Sequence, residues 1–144
     1  MNNKPRTIGV ILLVLTTMVL YYCGSNSPAN TEPPPTVIDD PSFASDIQSI
    51  FTNNCISSGC HNAGAAGGMV LLQNQAYANL VNVASTQEPG KTRVIPNDAT
   101  NSYIVIKLEG RQVNGSRMPM GGSALNANYI QNIKNWINKG AKNN

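Results

Sequence analysis

The residues with the most distinctive chemistry are Cys55-Ile56-Ser57-Ser58-Gly59-Cys60-His61, two thiols with an imidazole directly after the second. That order is the attachment signature of a c-type haem. Each thiol bonds one haem vinyl group, and the histidine ligates iron from one axial side. Four residues separate the cysteines here, where two are usual. The Cys60-His61 adjacency is the stricter constraint. A longer spacer still brings Cys55 to the other vinyl, with Gly59 allowing the loop to turn tightly. Cys55, Cys60 and His61 are therefore expected to hold one covalent haem c.

The partner on the other side of the iron is narrowed by composition. His61 is the single histidine, so two histidine ligands from this chain are excluded. Thioethers are the remaining soft donors, and the chain has five methionines. Met1 and Met18 fall in the leader. Met69 begins an apolar run and reads as core packing. Met118 and Met120 lie in a turn-rich, glycine-rich loop between two helical stretches. Met118 precedes Pro119, which stiffens the backbone in an extended form. Met118 is the favoured distal ligand and Met120 the alternative, with an open or water-filled sixth position as the third option.

These groups need a scaffold, and the chain of 144 residues has room for one modest domain. Residues 1–22 carry Lys4 and Arg6 and then an apolar run of 15 residues, Ile8 to Tyr22. A basic start with a short apolar segment is the pattern of a secretory signal, and the run falls short of the ~20 residues of a membrane span. Cys23 follows at the position of a lipidated cysteine. Leu20 suits such a signal, whereas Tyr21 and Tyr22 stand where small residues are usual. An uncleaved anchor, or cleavage near Ser25 or Ser27, is the alternative. Lipidation also accounts for the third cysteine, left over once haem takes two. Removing residues 1–22 leaves eight basic side chains against seven acidic ones, too balanced for a nucleic-acid footprint. Residues 23–41, rich in Pro, Ser and Asn and including Pro33-Pro34-Pro35, read as a linker that buries no core.

The domain proper is expected over residues 42–142 and to be all-α. Ser42 is placed to cap a first helix carrying Phe43, Ile47, Ile50 and Phe51 at helical spacing and ending near Asn53-Asn54. A second helix is expected from Asn74 to Asn82. A third starts from Asn101 or Ser102, runs through Tyr103, Ile104, Ile106, Lys107 and Leu108, and stops at Gly110. A last helix starts at Asn126, aligns Ile130, Ile133 and Ile137 in one stripe beside Tyr129 and Trp136, and ends at Gly140. No strand pattern is strong enough to build a sheet.

In this order the motifs resemble a known family. From Phe43 to Ala141 the chain resembles the small class I-like monohaem cytochrome c domains of exported bacterial proteins, of the planctomycete type. The resemblance rests on Cys55, Cys60 and His61, then Gly67-Gly68-Met69, Val94-Ile95-Pro96-Asn97-Asp98, Met118-Pro119-Met120-Gly121-Gly122 and Trp136-Ile137-Asn138-Lys139-Gly140-Ala141. It implies that Met118 is the distal ligand. It also implies a helical fold around the haem, in which the first and last helices cross with Trp136 near the contact.

A haem with both axial sites filled has no place for substrate, so the expected role is one-electron transfer at the outer face of a bacterial membrane rather than enzymatic catalysis. No second histidine or suitably spaced carboxylate pair suggests acid–base work. Redox proteins are the expected partners, the membrane is reached through a lipid on Cys23, and nucleic acid is excluded. Two alternatives stand beside this. A displaceable Met118 would make a haem-based ligand sensor, with Arg117 as the nearby polar group. A Cys55–Cys60 bridge would make a haem-free, disulfide-bonded interaction domain. Copper suits the same ligand types, but neither their spacing nor any strand pattern matches a cupredoxin.

Overall fold

The computed structural model describes residues 35–144, and the signal, Cys23 and most of the linker lie outside that range. Phe43–Ile47 winds in wide π-type turns and continues without a break as α1, Gln48–Asn54. The other helices are α2, Ala76–Leu80, α3, Tyr103–Glu109, and α4, Ala127–Asn138. Among the described residues extended pairing is limited to isolated bridges, such as Val81 with Val94 and Ala84 with Thr92. The all-α expectation agrees with this, and no described helix is long and apolar enough to cross a membrane.

Local signals explain most of the boundaries. The Asn126 side chain accepts from the Asn128 N–H at 2.8 Å and starts α4. Gly110 stops α3 in the left-handed region at φ 76°. α2 is shorter than its apolar pattern suggests because Asn74 and Asn82 both take positive φ, 67° and 59°, and break the helix on either side. The serines at the two expected caps act differently. Ser42 offers no cap through its side chain; its hydroxyl donates to the Asn144 carbonyl oxygen at 2.9 Å. The first N–H groups of that helix instead donate to Asn144 and Asp46. Ser102 is fully buried and turns away from α3, donating to the Asp98 carbonyl and accepting from the Ile95 N–H. A turn that would leave buried backbone groups unpaired takes the hydroxyl before the helix can.

Helices of five to seven residues do not persist alone, so packing must hold them. α4 contacts both α3 and the π-turn segment. The Phe43 and Trp136 rings meet with centroids 5.1 Å apart, and Tyr77 closes on Phe43 at 5.3 Å. Trp136 Nε1–H donates to Lys142 O and the Tyr77 hydroxyl to Ala141 O, so both buried aromatics also tie down the chain after α4. Trp136 therefore does sit where the first and last helices meet.

Residues 35–39, read from composition as linker, are held along α4 by a ladder of amides. Asn128, Asn132 and Asn135 donate to the carbonyls of Pro35, Thr36 and Ile38 at 2.7, 3.0 and 2.7 Å. Asn132 Oδ1 also accepts from the Ile38 N–H at 2.8 Å. Lys139 pairs with Asp39 at the far end, a pair too exposed to contribute much. Asn132 is only 3% exposed and serves two backbone groups, so Asn132→Ala should lower stability by about 1–3 kcal/mol. The expected signature in urea is an earlier unfolding midpoint with an unchanged slope.

Candidate functional site

The last turn of α1 delivers Cys55, whose N–H donates to Phe51 O at 2.8 Å. The loop then folds back on itself, with the His61 N–H on Cys55 O at 3.0 Å and the Leu71 N–H on His61 O at 2.8 Å. His61 is thus fixed by its backbone from both sides. Its ring is fixed as well, because Nδ1 lies 3.3 Å from the Met69 carbonyl oxygen. A carbonyl only accepts, so this contact places the proton on Nδ1 and leaves the Nε2 lone pair available to a metal.

On the other loop, the Met118 N–H donates to Lys107 O at 3.0 Å, which hangs the methionine from α3. Arg117 clasps the same loop, donating to Met118 O at 3.1 Å and to Gly122 O at 3.0 Å. Met118 is half-buried against the core, whereas Met120 is 70% exposed. The Met118–Pro119 bond is cis.

Cys55, His61, Met69, Met118 and Met120 all line one cavity of about 290 Å³. That is near the lower end of the ~300–1,000 Å³ usual for small-molecule sites. Phe51, Leu71, Ile104, Leu108, Leu125 and Ile133 supply its apolar wall. Cys60 does not join them; it is exposed and lies off the lining. Both thiols are free. Burial, and secondarily the neighbouring Cys60, pushes the Cys55 thiol up to about 11. The four-residue spacer has the consequence that one thiol faces the cavity and the other faces solvent.

Sequence reasoning passed over the polar part of this cavity. Arg93 and Lys107 line it and are only 7% and 5% exposed, with Tyr103, Ser85 and Gln87 nearby. Arg93 donates to Asn79 O at 2.8 Å and to Gly68 O at 3.1 Å. The Lys107 ammonium and the Tyr103 hydroxyl have no hydrogen-bond partner. Burial lowers the pKa of both cations, and for Lys107 the negative charge of Glu88 works in the opposite direction. Burial also raises the Tyr103 pKa, reinforced by Glu88, which the hydroxyl faces without closing a hydrogen bond. The available signal was Lys107 itself, a lysine four residues after Tyr103 on a face that also carries Ile104 and Leu108.

Against protein-family models, curated proteins and solved structures, the chain has no match. What it binds must be read from its own residues. Three features fit a flat, mostly apolar, iron-bearing cofactor: a free imidazole nitrogen, a thioether loop on the same apolar cavity, and buried polar atoms left without partners. Among the described residues no three of His, Cys, Asp and Glu gather into a metal site. An ion here would need donors from a cofactor or from methionine.

The two thiols should be separable by alkylation. In the haem-free chain Cys60 should react with iodoacetamide first, and Cys55 should react appreciably only as pH approaches about 11. Peptide mass mapping across a pH series reads both rates; equal labelling at pH ~8 would show that Cys55 is not sheltered as described.

Proposed function

We propose that this chain is a monohaem c-type cytochrome that carries single electrons at the outer face of a bacterial membrane. One observation carries the reading: His61 and Met118 line the same apolar cavity as Cys55, and the His61 ring is held with Nε2 free. The resemblance to class I-like cytochrome c domains supports it, as does the helical architecture with Trp136 at the crossing of the terminal helices.

A covalent haem supplies a one-electron couple at its iron. The chain's own residues do the rest. Cys55 and Cys60 would each add S–H across a vinyl group, an addition with no net redox change that needs both thiols reduced. His61 ligates through Nε2, and the Met69 carbonyl on Nδ1–H fixes the ring and strengthens it as a donor. Met118 supplies the distal thioether, which raises the reduction potential, and Arg117 keeps its loop in place. The apolar wall keeps water from the iron. Lipidation at Cys23 would tether the domain to the membrane through residues 23–34, and redox proteins would be its partners.

One observation favours a second reading. Cys60 lies off the cavity, so a Cys55–Cys60 bridge in a haem-free interaction domain competes with attachment. Expression of the full chain in a host that matures c-type cytochromes separates the two. One covalent haem per chain, by pyridine haemochrome and intact mass, is expected. A colourless chain, lighter by the hydrogens lost on bridging, would overturn the carrier reading.

In the matured protein, Met118→Ala should abolish the long-wavelength sulfur–iron absorption and lower the potential, while Met120→Ala should do neither. The reverse pattern would exchange their roles. His61→Ala should remove the low-spin spectrum altogether.

A further inference from the structure

Long cationic side chains are rarely buried unless something pairs with them. This cavity buries two. Neither Arg93 nor Lys107 forms an ion pair with a carboxylate among the described residues, whose ion pairs are Arg111–Glu109, Lys134–Glu109 and Lys139–Asp39. Arg93 has spent two of its five N–H donors on carbonyls, and Lys107 has spent none. Glu88 is the acid that faces this corner, and its Oε2 is engaged instead by the Val113 N–H at 3.4 Å.

The two cations flank one short turn. A Cβ on Gly68 would lie 3.8 Å from Thr86 Oγ1 and 3.9 Å from Arg93 Nη2. One on Gly115 would collide with the Gln87 amide and come within 3.4 Å of Lys107 Nζ. Consecutive residues Thr86 and Gln87 therefore mark the two cationic positions. Gly115, at φ 74°, keeps the approach to Lys107 open. Tyr103 stands one helical turn before Lys107 on α3, and its hydroxyl is also unsatisfied. Three donors with capacity to spare thus meet in a cavity that is otherwise apolar.

We propose that Lys107, with the Tyr103 hydroxyl, is the seat for one carboxylate of a tetrapyrrole, and that Arg93 receives the other. The acid edge of the ligand then lies toward α3 and the 85–88 turn, so these residues decide which way round the ring enters. The proposal rests on the haem reading of the same cavity and adds to it the residues that orient the ligand.

The test uses the full chain prepared without haem. It is titrated with metal-free mesoporphyrin, which has two carboxylates but neither iron nor reactive vinyl groups, and with its neutral bis-hydroxyethylamide. Trp136 fluorescence and porphyrin absorption report binding. The acid should bind more tightly than the amide. Lys107→Met should weaken the acid by about 10- to 100-fold while leaving the amide unchanged. Lys107→Arg should restore most of the acid affinity. Lys107→Met should also raise the melting temperature of the empty chain, because it removes an unpaired buried charge. A lysine with a purely structural role would behave oppositely: its loss would lower the melting temperature and weaken both ligands alike. That result would refute the seat and leave the haem reading standing. Equal affinity of the wild-type chain for acid and amide would refute the seat without any variant. If neither ligand binds, the seat is refuted, and the covalent haem count of the matured chain decides separately whether the haem reading falls with it.

Discussion

The contact between Phe43 and Trp136 is what the remaining structure leans on. α1, α2 and α3 are seven residues or fewer, below the length at which a helix persists in water. Their order therefore depends on burial, and burial depends on the two ends of the domain meeting. With the rings 5.1 Å apart, the first helix is held against α4, and α3 packs on α4 in turn. Asn144 then satisfies the first N–H groups of the opening helix, and the asparagine ladder lays residues 35–39 along α4. The long loops between α1 and α4 are thereby suspended from a closed frame.

That frame leaves space between the loops, and the chemistry of the space is uneven. Most of its wall is aliphatic or aromatic, which favours a flat apolar occupant. One part carries two buried cations and a tyrosine hydroxyl whose hydrogen-bonding capacity is not used up. An apolar cavity with unmatched positive charge is tolerated in a folded protein when a ligand brings the missing anion, because desolvating an unpaired charge opposes folding. The histidine loop and the methionine loop reach the same space, so one cavity unites a ligand set with a charge requirement.

Much of the helical pattern was legible from residue spacing. The stripe on α4, the Asn126 cap and the Gly110 stop follow from side-chain periodicity and backbone preference, which act within a turn or two of the chain. The failures have a common cause. Ser42 and Ser102 looked like caps, but their hydroxyls went to the partners three-dimensional packing supplied, Asn144 and the 95–98 turn. The segment 35–39 looked like spacer because it buries little of its own, and the amides that hold it lie about a hundred residues away. In the site, the Cys55, His61 and Met118 motifs were readable from residue type and adjacency. The roles of Arg93, Lys107 and Tyr103 were not, because a lysine or arginine in sequence looks the same whether its head group is solvated or buried.

By itself, then, the sequence determined which residues are capable of the chemistry: the two thiols, the lone imidazole beside the second, the loop thioethers, and helical stretches to carry them. These follow from composition and short-range spacing. Only the tertiary structure decided that Cys55 faces the cavity while Cys60 faces solvent, that His61 keeps Nε2 free because Met69 O takes its Nδ1–H, and that two cations are buried without counter-charges. The physical reason is that accessibility, proton placement and desolvation belong to groups brought together from distant parts of the chain. No local pattern records them.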